Sequence, residues 1–199
     1  MRRLLVATHN AHKTAEIREM LGDEWEVSDL TRVRDAAPPE EVGDTFEANA
    51  VIKAASASAR CPGLVLADDS GLEVDAMSGE PGVRSARYAG EGATDAENRA
   101  KLLHELERRG AFGQEVSARF RCAMALAEHG RVLGVFTGAV EGAIRQTERG
   151  SGGFGYDSLF VPQGYDATFA ELAAVTKNHL SHRARALAEV RAWLTANRP

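Results

Sequence analysis

VSARFRCAMALAE, residues 116–128, places an apolar side chain at every second position from Val116 to Leu126. A turn-forming stretch, residues 128–131, joins it to a second apolar run, VLGVFTGAV, at residues 132–140. Alternating apolar side chains are typical of a strand with one buried face, and a short turn between two such runs predicts an antiparallel hairpin. The chain therefore contains at least one antiparallel pair of strands.

The N-terminal half predicts strands that alternate with helices. Leu4–Ala7 is a short apolar run suited to a buried strand, and apolar residues then recur at helical spacing up to Leu21. A second helix is predicted around residues 46–54, ending before the Pro-Gly turn that follows Cys61. LVLADD, residues 64–69, then predicts a strand. Together with the hairpin, these elements indicate a mixed α/β fold.

Three further elements are predicted in the C-terminal part. Thr94 and Glu97 have the spacing of a capping box, so a helix is expected to begin there and to end near Gly110. A glycine-rich loop leads into the apolar run at residues 159–161, which predicts a strand. The last helix is expected to begin at Ser181. No internal repeat appears, so the chain is not divided into independent domains.

The composition is that of an ordinary globular protein. The chain has 199 residues, of which 44% are apolar and 27% charged, and its formal net charge is −5. Without a block of like charges, a broad surface for nucleic acid or anionic lipid is disfavoured, and no apolar run approaches a membrane span. We expect a cytoplasmic protein whose cysteines stay reduced, with Cys122 in the core and Cys61 incidental.

Asp68 and Asp69 are adjacent carboxylates directly after an apolar run. Ionised neighbours repel each other, so a pair at the end of a strand is most simply stabilised by a cation. Mg²⁺ prefers carboxylate oxygens, and the acidic pair Glu40-Glu41 would complete such a cluster from elsewhere in the chain. The alternative is a turn in which Asp and Ser side chains bond their own backbone. The pattern by itself leaves both interpretations open.

The segment THNAHK, residues 8–13, lies between the first predicted strand and helix. A helix N-terminus offers free N–H groups and the positive end of the helix dipole, and Lys13 adds a charge, so a phosphate group would fit there. The segment matches neither the Walker loop nor the dinucleotide-binding fingerprint. The alternative is that Asn10 is an N-cap and Lys13 a solvated helix residue.

Two later segments are candidates for ligand binding. GGFGYDSLF carries Phe154 and Tyr156 in a glycine-rich loop, which would hold a flat base, although aromatic side chains more often pack in the core. KNHLSHRARAL carries a cationic cluster before or at a helix start, or else a solvated basic face. The cluster consists of Lys177, His179, His182 and Arg183.

Four parts of the sequence, in order and spread over nearly the whole chain, carry a family resemblance. They are LLVATHNAHKTAEI, EEVGDTFEANAVIKA, LADDSGLEVDAMSGEPGVRSARYAGEGATD, and GGFGYDSLFVPQGYDATFAEL with KNHLSHRARAL. The chain thereby resembles the inosine triphosphatase family of non-standard purine nucleoside triphosphate pyrophosphatases. A single match of this kind can arise by chance, but four matches in the same order do not.

The resemblance implies a reaction and an architecture. The reaction is Mg²⁺-dependent hydrolysis of dITP, ITP and XTP to the monophosphate and pyrophosphate, which removes deaminated purines from the nucleotide pool. The expected fold is α/β: a long mixed central sheet in two lobes with flanking helices and a cleft between the lobes. Residues 1–199 would form this single two-lobed domain, and a homodimer is expected.

The resemblance also implies roles for individual residues. Asp69 would be the general base and would hold Mg²⁺ together with Glu40, while Asp68 and Glu41 are close candidates. Arg183 and His182 would donate hydrogen bonds to the 6-oxo group of the purine, which adenine lacks. The triphosphate and the rest of the nucleotide would contact Thr8, His9, Asn10, Ala11, His12, Lys13, Ser70, Phe154, Gly155, Tyr156, Asp157 and Lys177.

The chain departs from the family pattern at two positions. His9 stands where glycine is usual, so its imidazole either tolerates a positive φ at some cost or is an additional phosphate donor. Ser158 stands where proline is common, which is expected to loosen the loop.

Two other functions are compatible with the residues. One is a Mg²⁺-dependent phosphomonoesterase in which Asp68 or Asp69 is a nucleophile and orthophosphate is released. The other is a nucleotide-binding module without turnover.

Overall fold

The computed structural model describes residues 2–33 and 43–197. The strands are β1 (Arg2–Val6), β2 (Trp25–Asp29), β3 (Leu64–Val74), β4 (Val116–Glu128), β5 (Arg131–Ile144) and β6 (Phe160–Pro162). The helices are α1 (Ala11–Leu21), α2 (Phe46–Ser58), α3 (Asp95–Arg108), α4 (Ala174–Leu180) and α5 (His182–Asn197). None of the helices in these two ranges is long and apolar enough to cross a membrane.

The strands form one mixed sheet in the order β2-β1-β3-β4-β5-β6. β1 is parallel to β2 and to β3, with Leu4 opposite Leu64, whereas β5 and β6 are antiparallel. The two parallel pairings belong to the strands that alternate with helices, as expected for crossover connections. The mixed α/β prediction is confirmed, and the predicted hairpin corresponds to β4 and β5.

The described residues fall into two compact units. The first contains the described parts of residues 1–69, 122–138 and 182–199, and the second contains residues 70–121 and 139–181. In the first unit, the buried side chains include Leu4, Ile17, Leu66, Met124 and Leu187. In the second unit, they include Leu72, Leu102, Phe120, Phe160 and Phe169. Each unit therefore has its own apolar core.

Helix starts follow the predicted capping chemistry. The Asn10 side chain accepts hydrogen bonds from the amides of His12 and Lys13. Asn10 is therefore the N-cap of α1, as the alternative interpretation predicted. At α3, Thr94 and Glu97 form the reciprocal capping box. Local side-chain to backbone bonds therefore set where these helices begin.

The expected strand end after Asp69 is wrong. β3 continues through Asp68, Asp69 and Ser70 to Val74, because Leu72 and Val74 are buried in the core of the second unit. This also removes the alternative that the two aspartates lie in a turn.

Neither β2 nor α4 was predicted from the sequence. Cys61, interpreted as incidental, is buried. Glu40 and Glu41 lie outside the described residues, so their predicted metal role stays a prediction.

Candidate active site

Asp68 and Asp69 are consecutive residues inside β3, and each has its own set of partners. Successive side chains of a strand point to opposite faces, so two adjacent carboxylates need not face each other. Asp68 contacts Lys13, and Asp69 contacts Lys53. Each carboxylate therefore has its own cation, which offsets the repulsion between the two neighbouring negative charges.

Asp68 is 1% exposed and lies between two cations of the first unit. Its Oδ1 accepts a hydrogen bond from Lys13 Nζ, and its Oδ2 lies 3.2 Å from Arg183 Nε. Burial by itself would raise the pKa of Asp68, but the charges of Arg183 and Lys13 outweigh it and hold that pKa well below its usual value. Lys13 is thus not the solvated helix residue of the alternative interpretation.

The thiol of Cys122 completes the surroundings of Asp68. Its Sγ lies 3.0 Å from Asp68 Oδ2, to which it donates. Burial raises the pKa of Cys122 well above its usual value, and the neighbouring Asp68 charge acts in the same direction. The thiol is therefore neutral at physiological pH, as a core residue in the interior position of β4 should be.

Arg183 is 1% exposed at the start of α5 and bridges two carboxylates. Besides Asp68, it contacts Glu16 of α1, with 2.5 Å between Nη1 and Oε2. Although burial disfavours its charge, these two carboxylates raise the pKa of Arg183 above its usual value. The expected contact with a purine 6-oxo group stays a prediction for Arg183 and for its buried neighbour His182.

Two residues of α2 form hydrogen bonds with Asp69, and neither was predicted from the sequence. Lys53 Nζ lies 2.6 Å from Asp69 Oδ1, and Asn49 Nδ2 lies 3.3 Å from Asp69 Oδ2. Asn49 also accepts a hydrogen bond from the Gly43 amide at 2.8 Å. A signal was present, because Asn49 and Lys53 are polar residues four apart on the face of the helix that also carries apolar Phe46.

The proposed phosphate loop, residues 8–13, connects β1 to α1. Thr8 Oγ1 accepts a hydrogen bond from the Asn10 amide at 3.1 Å, which fixes the turn into the helix. His9 is exposed, and the non-glycine residues with positive φ in the described part of the chain are Ser78 and His129. The first explanation for His9, tolerance of a positive φ, is therefore wrong, and a phosphate-donor role stays a prediction.

In the second unit, Asp157 organises the predicted base-binding segment, residues 154–157. Its Oδ2 accepts hydrogen bonds from the Phe154 amide at 2.9 Å and from Lys177 Nζ at 2.7 Å. The Lys177 ammonium also lies 5.1 Å from the centre of the Phe154 ring. Lys177 is 6% exposed, so a solvated basic face is wrong for this member of the cationic cluster.

Tyr156 has the core role of the alternative interpretation. It is 3% exposed, and its hydroxyl donates to the Ser85 carbonyl at 2.8 Å. Burial raises the pKa of Tyr156 above its usual value. Phe154, in contrast, is half-buried and is the aromatic side chain of this segment available to a ligand.

Ser158 forms a contact that a proline would lack. Its hydroxyl donates to Glu148 Oε2 at 3.0 Å. The departure from the family pattern therefore adds a side-chain bond to the segment.

No group of three or more His, Cys, Asp or Glu side chains arranged to hold a metal occurs within residues 2–33 and 43–197. Asp69 is the described member of the predicted metal pair, and its carboxylate is the type of oxygen ligand that Mg²⁺ prefers.

The described residues form a mixed α/β fold, and β3 carries two buried carboxylate–lysine pairs. The chain belongs to the Ham1 family, whose family model matches residues 4–193.

Curated relatives of the chain cover nearly its full length. A dITP/XTP pyrophosphatase of Bacillus licheniformis is 46% identical over 195 residues, 98% of this chain and 98% of that protein. A dITP/XTP pyrophosphatase of Geobacter sulfurreducens is 50% identical over 190 residues, 94% of each chain.

Solved structures agree with the fold. A HAM1 protein from Coxiella burnetii superimposes with a TM-score of 0.86 at 40% identity, covering 98% of this chain and 100% of that one. The Ham1 protein of Staphylococcus aureus gives a TM-score of 0.85 at 35% identity, covering 99% and 100%.

Proposed function

We propose that this chain hydrolyses non-standard purine nucleoside triphosphates, namely dITP, ITP and XTP, to the monophosphate and pyrophosphate. The proposal is supported by membership of the Ham1 family and by the names of relatives that match over nearly the full chain. Such an enzyme removes deaminated purine nucleotides from the nucleotide pool.

The observation that carries the mechanism is the environment of Asp69. Its carboxylate is 6% exposed and accepts hydrogen bonds from Lys53 and Asn49. Hydrogen bonds to a charged group favour the ionised form, which a general base requires. In the proposed reaction, Asp69 takes a proton from water, the water oxygen bonds to the α-phosphorus, and pyrophosphate leaves with the electrons of the broken bond.

Mg²⁺ is the proposed cofactor. Asp69 and Glu40 would hold it, and the ion would supply neutralising charge at the phosphate oxygens. Lys13 and the loop of residues 8–13 would bind the triphosphate, and Lys13 would neutralise charge that grows on the leaving pyrophosphate.

The base would be recognised by two groups of residues. One group would be Phe154 and Asp157 with Lys177, and the other would be His182 and Arg183 at the 6-position of the purine. Hydrogen-bond donors of the protein would pair with the oxygen of a 6-oxo purine, whereas the 6-amino group of adenine would leave them unpaired. This difference favours 6-oxo purines over adenine by roughly ten- to a hundredfold.

A homodimer belongs to the same proposal because the family resemblance implies it. A cytoplasmic location without nucleic acid or membrane partners belongs to it because the net charge is −5 and the sequence has no block of like charges.

The test is hydrolysis of dITP, XTP, dATP and dGTP at equal concentration, with and without Mg²⁺, with pyrophosphate resolved from orthophosphate. We expect pyrophosphate from dITP and XTP, and only with the metal. Orthophosphate would favour the phosphomonoesterase with an aspartate nucleophile. Tight binding of dITP without turnover would favour the nucleotide-binding module.

A further inference from the structure

Helix α3 holds the backbone of Gly155 at both of its polar groups. Asp95 Oδ2 accepts a hydrogen bond from the Gly155 amide at 2.7 Å. Arg99 Nη1 donates to the Gly155 carbonyl at 2.8 Å. Gly155 lies within the predicted base-binding segment, residues 154–157, so this segment is attached to α3 by two side chains.

The two side chains can act together because of their spacing. Asp95 and Arg99 are four residues apart, which places them on the same face of a helix. α3 is itself firmly placed, since its first turn carries the capping box and Leu102 and Leu106 are fully buried. The contacts to Gly155 therefore begin from a part of the second unit that has its own anchors.

The contacts that hold Gly155 are made by its backbone. Gly155 has φ +61°, a conformation that glycine adopts without cost, and it has no side chain with which to pack. The internal contacts of the segment are made by its neighbours, through the Phe154 amide and the Asp157 carboxylate. A turn hydrogen bond from the Asp157 amide to the Phe154 carbonyl, at 3.2 Å, spans Gly155, and the two hydrogen bonds from α3 fix the Gly155 peptide groups themselves.

Arg99 also connects to the far end of the segment. Its Nε lies 3.0 Å from Glu148 Oε2, and the same oxygen accepts the Ser158 hydroxyl hydrogen bond. The Arg99 side chain is 18% exposed, so this pairing is partly shielded from water. Arg99 thus contacts the segment directly at Gly155. Through Glu148 it is also linked to Ser158, the residue that follows Asp157.

We propose that Asp95 and Arg99 are positioning residues for nucleotide binding. They hold the backbone at Gly155 and thereby place Phe154 and Asp157 for the base, without contacting the nucleotide. The inference rests on the proposed function for its substrate, a non-standard purine nucleoside triphosphate. It adds two residues of α3 that the family resemblance did not assign.

The first test compares steady-state kinetics of Arg99→Ala and Arg108→Ala with dITP. Arg108 is an exposed arginine on the same helix, paired with Glu105, and its removal should leave both constants unchanged. For Arg99→Ala we expect KM to rise about three- to tenfold with kcat within about twofold, the size expected for one hydrogen bond. Arg99→Lys, which keeps a donor, should recover part of the loss. Equal KM values for Arg99→Ala and Arg108→Ala would overturn the proposal.

The second test needs no activity. Hydrogen exchange of the Gly155 amide, followed by NMR without nucleotide, should be at least about tenfold faster in Asp95→Ala than in the wild type, while Asp95→Asn keeps an acceptor and stays slow. Unchanged exchange in Asp95→Ala would overturn the attachment to α3. If the wild type releases no pyrophosphate from dITP, the proposed function fails, and the exchange result decides the attachment by itself.

Discussion

The ammonium group of Lys53 lies 2.6 Å from the carboxylate of Asp69, and both side chains are about nine-tenths buried. One residue comes from α2 and the other from the middle of β3. The pair supplies the proposed general base with a fixed orientation and a neutralising charge.

Asp69→Asn should reduce kcat for pyrophosphate release from dITP by at least about a hundredfold, because the amide cannot accept the proton of the attacking water. Binding of a non-hydrolysable dITP analogue should remain within a fewfold of the wild type. Near-normal turnover in a folded Asp69→Asn protein would exclude Asp69 as the base.

Lys53→Met should shift the acidic limb of the pH–rate profile to higher pH. Removing the opposite charge from a buried carboxylate disfavours its ionised form, which the base needs. The profile of kcat/KM for dITP measures the shift. Lys53→Arg retains the charge and should keep the limb in place, so equal limbs in all three proteins would refute this role for Lys53.

Asp68→Asn should lower the free energy of unfolding by about 3–5 kcal/mol, since it leaves the buried Arg183 charge without one of its carboxylates. Because the folded-state pKa of Asp68 is depressed, its stabilisation is complete above the usual carboxyl pKa and is lost as the pH falls below it. Urea unfolding should therefore show a constant difference between pH 5 and pH 8 that shrinks below about pH 4.

The control for this stability measurement is Asp75→Asn. Asp75 pairs with Arg119 at 2.9 Å, but its side chain is 49% exposed. An exposed pair contributes at most about 1 kcal/mol, so this variant should remain close to the wild type. A loss in Asp68→Asn no larger than in Asp75→Asn would contradict the importance of burial.

Gly153→Ala should raise the KM for dITP by about tenfold or more, because a Cβ at this position would lie 2.1 Å from Asp157 Oδ2 and displace the carboxylate. Gly164→Ala is the matched control. Both glycines have positive φ, +72° and +85°, but a Cβ on Gly164 meets nothing within 4 Å. Backbone strain should cost each variant about 1–2 kcal/mol of stability, the clash with Asp157 should add a further loss in Gly153→Ala, and only Gly153→Ala should change KM.

His9→Gly should raise the KM for dITP about three- to tenfold, as expected for the loss of one hydrogen bond from the imidazole to a phosphate. His129→Gly provides the comparison, since His129 lies in the turn between β4 and β5 and has φ +52°. That substitution relieves strain and should leave KM unchanged. An unaltered KM in His9→Gly would mean that the imidazole points away from the triphosphate.

Features that depend on neighbouring residues were predictable from the sequence. Alternation from Val116 to Leu126 marks β4, and the spacing of Thr94 and Glu97 marks the start of α3. The short strand β2 and the short helix α4 were missed because five and seven residues carry little periodic signal.

The site was predictable only in part. The segments around Lys13, Asp69 and Asp157 were identified as candidates, but Asn49, Lys53 and Glu16 were not. Their roles depend on which carboxylate or guanidinium lies opposite, and sequence spacing within α1 or α2 does not contain that information. β3 was expected to end at Asp69 for the same reason, because the residues that bury Leu72 are distant from it in the sequence.

The sequence by itself determined the mixed α/β class, the helix caps and the hairpin, because these follow from contacts between residues a few positions apart. Only the tertiary structure decided the partners of the buried charges. Arg183 and Asp68 are 115 residues apart in the chain, and their pairing exists because packing of the first unit brings α5 against β3 and excludes water from both groups.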